Sequence, residues 1–214
     1  MTAYTAPTRD MQFVINELAG LAEVAALPAF AEQDVGPELV EAVLEEAAKL
    51  AAEMLAPLNH SGDVQGARMS PQGVLPAEGF TEAYRKFVEG GWNGIGCPTT
   101  FGGQGLPELI NTATQEMWNA ANMSFALCPL LTAGAIEAIR HVGSDAQKAL
   151  YLPKMVSGEW TGTMNLTESQ AGSDLSAVRT RAVPEGDHYR IFGQKIFITW
   201  GEHNMTENTI HLVL

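Results

Sequence analysis

The sequence predicts an α+β chain: an all-α N-terminal region, then the first strands of a sheet beginning near residue 161. Three observations carry that expectation. Apolar residues recur at three- and four-residue spacing through 36–160, the period of helices that bury one face. Beyond 161 the texture changes to short alternating runs broken by Pro184-Glu185-Gly186-Asp187, the pattern of strands and a hairpin turn. Between the two lies TGTMNLTESQAGSD at 161–174, a Thr-, Ser- and Gly-rich stretch in a chain that is otherwise 46% apolar.

This gives three parts: an extension over 1–35, a helical domain over 36–160, and the start of a β domain over 161–214. In the extension, Phe13, Val14, Leu18, Leu21 and Val24 form a loose helical stripe that Pro28 interrupts. Gly36-Pro37 opens a clearer helix, because Pro is tolerated in a first turn. Its apolar face is read as Leu39, Val43, Ala47, Leu50 and Met54, its glutamates as a solvated face, and its end as Pro57. Residues 59–79, rich in Gly, Ser, Pro and Asp, read as a long loop. Thr81 caps the next helix, which stops at Gly90-Gly91.

The run PTTFGGQGLP at 98–107 carries three glycines ahead of a helix. It lacks a Gly-Lys-Ser/Thr ending, so it reads as a structural turn rather than a phosphate cradle. Two helices follow over 107–119 and 129–141, with Met117, Trp118, Met123 and Phe125 read as core. Ser144-Asp145-Ala146-Gln147 matches a capping box and opens a last helix that ends at Ser157-Gly158. Residues 178–183 and 188–192 are paired strands, and 196–200 and 209–214 are further strand candidates.

The formal charge of −13, from 12 basic and 25 acidic residues, argues against a nucleic-acid partner, which needs clustered Lys and Arg. The N-terminus has no basic flank leading into a continuous apolar segment, so no signal peptide is expected. No apolar run reads as a membrane span. Cys97 and Cys128 stand alone, as reduced buried thiols of a cytoplasmic protein do, and the scattered histidines form no metal motif.

Within the polar stretch, Thr167-Glu168 precedes Ala171-Gly172-Ser173-Asp174 at short spacing. Gly172 lets backbone amides and the Ser173 hydroxyl approach an anionic group such as a phosphate. On spacing alone, a polar surface turn closing a strand is the commoner structure for such a run. The sequence from Leu166 to Ala177, LTESQAGSDLSA, resembles the flavin-binding signature of the acyl-CoA dehydrogenase family. A second element of that family, Gly-x-Lys followed by an aromatic and Ile-Thr, is matched by Gly193-Gln194-Lys195 and Phe197-Ile198-Thr199. The segments TAPTRDMQFVINEL, PLNHSGDVQGAR and EGGWNGIG look most like the larger bacterial subgroup that includes 3-methylmercaptopropionyl-CoA dehydrogenases.

The resemblance implies a helical domain, then the incomplete start of a β-barrel-like middle domain, with the family's C-terminal helical domain and its catalytic Glu beyond residue 214. It implies FAD as cofactor, an acyl-CoA substrate, electron-transfer flavoprotein as acceptor and a homo-oligomeric parent. It places Met164, Leu166 and Thr167 beside the isoalloxazine, and Gly172 and Ser173 at the pyrophosphate, with Ser173 also near the acyl-CoA. Phe197, Ile198 and Thr199 fall along the flavin, Phe197 covering a face where many relatives have Trp. Glu168 is read as a structural acceptor within its loop, and no residue of this chain matches the family base. Asn165 and Trp200 depart from the family pattern, which more often has small or polar residues there. A non-catalytic subunit that pairs with a separate chain, an acyl-CoA oxidase and a DNA-repair relative share this fold.

Overall fold

A computed structural model describes residues 4–71 and 73–214. Residues 1–3, the start of the extension, and Gln72, within the predicted loop, lie outside the described residues. Helix α1 (Thr8–Phe13) runs into a π-helical turn (Val14–Leu18), and α2 (Leu21–Ala25) follows. The extension is therefore largely helical, but its buried residues are Ala6, Met11, Ile15, Leu21 and Val35, while Phe13, Val14 and Leu18 face solvent.

Helix α3 (Pro37–Lys49) continues through a second π turn (Leu50–Leu55) into α4 (Ala56–Gln65). Pro57 therefore does not end the helix. It sits just past the π turn, where the hydrogen-bond register has shifted and a missing N–H is tolerated. The buried line is Val40, Leu44, Ala47, Ala51 and Leu55, one position round from the predicted face. Alanines mark where neighbouring helices approach most closely, and Leu39, Val43, Leu50 and Met54 flank that line half-buried.

The predicted loop 59–79 is instead the end of α4 and a small antiparallel hairpin, β1 (Arg68–Ser70) with β2 (Gly73–Leu75). Gly62 in α4 is a contact rather than a break: a Cβ there would lie 2.7 Å from the Phe80 ring. Helix α5 (Phe80–Glu89) has its N-cap at Gly79, with φ +89°, two positions before the predicted cap, so Thr81 lies inside the helix. Tyr84 of α5 donates its buried hydroxyl to the Gly158 carbonyl at 3.0 Å.

The two predicted helices after residue 107 form one element, α6 (Glu108–Val142), kinked at Asn122 (φ −160°, ψ 88°). Asn122 makes the kink habitable. Its Oδ1 accepts the Phe125 N–H at 3.1 Å, capping the second half, and its Nδ2 donates to the Leu55 carbonyl at 3.1 Å. Length and composition would let α6 cross a membrane, but half of its most apolar stretch is buried within the protein, as in a core helix. Trp118, Phe87 and Phe125 are fully buried around it, the Phe87 and Trp118 rings meeting edge to face at 4.8 Å. Met117 joins them, whereas Met123, also read as core, is exposed.

Helix α7 (Asp145–Ser157) opens on the predicted capping box. β3 (Trp160–Asn165) then lies against α6, with the Gly162 N–H donating to Thr132 Oγ1 at 3.1 Å. A Cβ on Gly162 would come within 2.5 Å of Ala135 Cβ, so only glycine lets strand and helix close this far. A second apolar cluster of Ile136, Ile139, Leu152, Met155 and Val156 seals this junction.

β4 (Arg181–Glu185) and β5 (His188–Phe192) form the predicted antiparallel hairpin, but the first strand starts at Arg181 rather than 178 and takes in Pro184 and Glu185, leaving Gly186-Asp187 as the turn. β6 (Asn208–Val213) returns to pair in parallel with β3, in register from Trp160↔Asn208 to Asn165↔Val213. The β region is thus a parallel pair plus a hairpin, with no closed barrel among the described residues.

Candidate functional site

β3 ends at Asn165, and residues 166–180 fold back on one buried carboxylate. Glu168 is 4% exposed. Its Oε1 accepts from the Thr180 hydroxyl at 2.6 Å, the Thr180 N–H at 2.9 Å and Lys195 Nζ at 2.9 Å. Its Oε2 accepts the Arg179 N–H at 2.9 Å and a Gln170 amide proton. Thr180, then the Arg179 N–H and Lys195, hold the carboxyl well below the usual carboxylate range. A carboxylate accepting from so many donors is a bracket, not a base, which is the structural role expected of it.

Lys195 completes the bracket. Its ammonium, on a side chain only 8% exposed, also donates to the Leu166 carbonyl at 2.9 Å. The Ile196 N–H donates to the Thr167 carbonyl at 2.9 Å, so the two motifs stand side by side.

Residues 196–200 are not the predicted strand. Phe197 and Trp200 have φ of +57° and +52°, a left-handed conformation no pleated strand contains. They form a turn held from three sides. The Thr163 hydroxyl donates to the Thr199 carbonyl at 2.7 Å, and the Trp200 indole N–H to the Ser124 carbonyl of α6 at 2.9 Å. His203 meets Thr161 Oγ1 at 3.0 Å. The turn projects Phe197 outward, 88% exposed.

The predicted site residues lie around the end of β3 but not on one face: Met164 lines an opening with Ile139, Tyr151 and Leu212, apart from the cavity that Ile198 and Thr199 line. Met164 is exposed on the strand, and Leu166 and Thr167 are half-buried at its exit. Gly172 and Ser173 lie in the exposed loop, where nothing stands within 4 Å of a Cβ placed on Gly172. Among the described residues, the Gly172 and Ser173 amides and the Ser173 hydroxyl donate to no protein group. Ile198 and Thr199 line a cavity of about 710 Å3 between the turn, α4 and α6, with Asn165, Lys195, His203 and His211. Sequence reading missed Thr163, Lys195 and His203 as organisers. The Lys in Gly-x-Lys was the available signal for one of them, and the threonines carry none.

Elsewhere the cavities and thiols offer less chemistry. The 98–107 turn spends its amides on itself, Gly103 donating to the Pro98 carbonyl and Gly105 to that of Cys97, so it forms no cradle. Burial pushes the Cys97 thiol up to about 11 and raises Cys128 as well, which keeps both unreactive. Among the described residues no cluster of three His, Cys, Asp or Glu could hold a metal.

The chain belongs to the acyl-CoA dehydrogenase family: residues 37–159 match the profile of the acyl-CoA dehydrogenase N-terminal domain. Within that family it is 50% identical over 212 residues to 3-methylmercaptopropionyl-CoA dehydrogenase of Ruegeria pomeroyi, covering 99% of this chain and 36% of that protein. It is 35% identical to a butyryl-CoA dehydrogenase of Syntrophomonas wolfei, covering 99% of this chain and 35% of that one. The solved butyryl-CoA dehydrogenase of Megasphaera elsdenii superposes with a TM-score of 0.62 at 25% identity, over 75% of this chain and 40% of the other. The chain thus spans about a third of the length of the relatives it matches in sequence.

Proposed function

We propose that this chain supplies the N-terminal, flavin-facing share of an FAD-dependent acyl-CoA dehydrogenase acting on a short acyl-CoA thioester of the 3-methylmercaptopropionyl-CoA kind. The observation that carries the reading is the surface at the end of β3. There two separate motifs are locked together by Glu168 and Lys195, while apolar and uncharged polar groups are left facing outward.

FAD suits that surface by its chemistry. The open Gly172–Ser173 segment offers amide and hydroxyl donors without a competing carboxylate from Glu168, whose oxygens are already engaged, and this matches a pyrophosphate. Leu166 and the outward Phe197 offer apolar cover for an aromatic ring system, while Thr167, Ile198 and Thr199 present neutral groups to its polar edge. Bound FAD supplies the hydride acceptor for α,β-dehydrogenation of a thioester. The residues of this chain bind and orient it, and in this reading Ser173 meets the acyl-CoA as well.

The α-proton requires a carboxylate base, and no residue of this chain matches the one the family uses. Glu168 is committed, and the glutamates of α3 face solvent. Electron-transfer flavoprotein as acceptor, a homo-oligomeric assembly and a cytoplasmic location complete the proposal. The test is an absorbance spectrum of the whole purified protein, followed by dye reduction across an acyl-CoA panel. Bound flavin and turnover with short acyl-CoA thioesters are expected, with no turnover by the 214 residues alone. A whole protein that carries no flavin and reduces no acceptor overturns the reading.

A further inference from the structure

We propose that His203 is a positioning residue for the Phe197–Thr199 turn: neutral and protonated on Nε2, it clamps the turn to β3, and protonation of its other nitrogen releases the turn and weakens FAD binding. The inference rests on the flavin reading above, and goes beyond it by naming what holds the flavin-facing turn and when it lets go.

The tautomer follows from the partners. The Met205 N–H donates to His203 Nδ1 at 3.2 Å, so Nδ1 must keep a lone pair and the proton sits on Nε2. Nε2 is 3.0 Å from Thr161 Oγ1, which is in turn 3.1 Å from Thr209 Oγ1. One imidazole thereby ties the turn to both strands of the parallel pair. Its ring also packs edge-on against Trp200 at 5.5 Å, and Trp200 stacks on Phe80 at 6.1 Å.

That support matters because Phe197 and Trp200 both hold left-handed backbone conformations. Non-glycine residues keep these only where the surroundings over-determine them. A proton on Nδ1 would set two N–H groups against each other and remove the Met205 bond.

Among the described residues no charged neighbour offsets this. Lys195, Glu202 and His211 share the cavity wall with His203. Lys195 is held by Glu168, His211 by Asn165, and the Glu202 carboxylate lies against Gly73. Beyond Met205, Arg85, Glu89, Glu159 and Glu207 line a separate opening. Burial alone moves the imidazole below its ordinary 6.5. With the folded value depressed, the clamp is fully present above the ordinary histidine value and is lost as pH falls through the lower, folded one.

The test follows the chain from about pH 8 to about pH 5 by two readouts. Nitrogen-15 NMR reports the imidazole tautomer, the Met205 amide and the Trp200 indole, while quenching of flavin fluorescence reports FAD affinity. The expected result is an Nε2–H tautomer, with both reporter signals moving at the His203 midpoint below 6.5. FAD binding should weaken about tenfold across the same midpoint. His203→Asn keeps an acceptor for the Met205 N–H but cannot titrate, so its FAD affinity should be flat with pH. His203→Ala should bind weakly throughout. An Nδ1–H tautomer, reporter signals indifferent to the His203 titration, or wild-type pH dependence in His203→Asn overturns the clamp. Coupled NMR titration with no FAD binding at any pH supports the clamp and overturns the flavin reading instead.

Discussion

The two regions of this chain are held together by different forces. Through β3, order comes from excluded water: Trp118, Phe87, Phe125, Leu44 and Leu55 are all fully buried in a continuous aliphatic and aromatic core. From residue 166 onward only Glu168 and Ala171 are buried, and every residue of β4 and β5 is exposed. There, order comes from a few polar side chains: Glu168, Lys195 and His203, with Thr163 and Thr161 reaching across from β3. Hydrophobic burial is non-directional and shared among many residues, whereas a polar bracket is local and fails when one member is lost. The site is built on the second kind, which leaves its apolar groups free to meet a ligand.

The largest test of that contrast is Trp118→Ala. Trp118 is fully buried between Phe87 and Trp92, and among the described residues its indole nitrogen has no hydrogen-bond partner, so what the variant loses is packing. About 3–5 kcal/mol of stability should go, a fall in melting temperature of roughly 10 °C. Circular dichroism should record that fall. At low temperature the amide signals of residues 166–180 should be unchanged, and their loss in the still-folded variant would mean the two regions are not separable.

Glu168→Gln attacks the other force. It removes the charge that Lys195 and the Thr180 and Arg179 donors share, and strands a nearly buried ammonium. Melting of the helices should barely move, while limited proteolysis should cut within 166–200 and FAD affinity should be lost. A helical melting point that falls as far as in Trp118→Ala would break the comparison. Acid sharpens it further. Because the Glu168 value is depressed from 4.5, its contribution is present above that value and is lost only as pH falls through the much lower folded one. Mild acid should therefore release the His203 turn while leaving the Glu168 loop protected from protease.

The same contrast explains what could be read from the sequence. Helices announce themselves by periodicity, so α3, α5, α6 and α7 were legible, and even their errors were errors of face or boundary. Gly62 looked like a loop residue because glycine marks both turns and close contacts, and only Phe80 lying over it tells which. Both site motifs were legible as linear patterns, yet the pairing of Glu168 with Lys195 was not, because an ion pair 27 residues apart leaves no periodic trace. The run Ile196-Phe197-Ile198-Thr199 has strand propensity throughout. Bonds from Thr163, Trp200 and His203 override it, and propensity is the weaker influence wherever tertiary bonds fix φ.

Tyr84→Phe probes the seam between the regions. It deletes the one hydroxyl that joins α5 to the Gly158 carbonyl at the turn into β3, and costs about 1 kcal/mol. Chemical denaturation should show the lower midpoint without a change of slope. A changed slope would mean that β3 had detached before the helices unfolded.

Ser144→Ala should have the smallest effect. Ser144 Oγ accepts the Gln147 N–H at 3.3 Å, and Gln147 Oε1 accepts the Ser144 N–H at 2.8 Å, so two otherwise orphaned amides of α7 satisfy each other's side chains. Both groups are exposed, and water replaces the lost acceptor, which puts the cost near the low end of the range for caps, about 0.5–1 kcal/mol. Helix α7 nonetheless reaches both regions, because Leu152, Met155 and Val156 pack with Ile136 of α6 and against Ile210 and Leu212 of β6. Loosening its first turn should therefore lower the melting of the helical signals and of the β3–β6 amides by the same few degrees. Hydrogen exchange on β3 that quickens without any shift in helical melting would show that α7 belongs energetically to the site region.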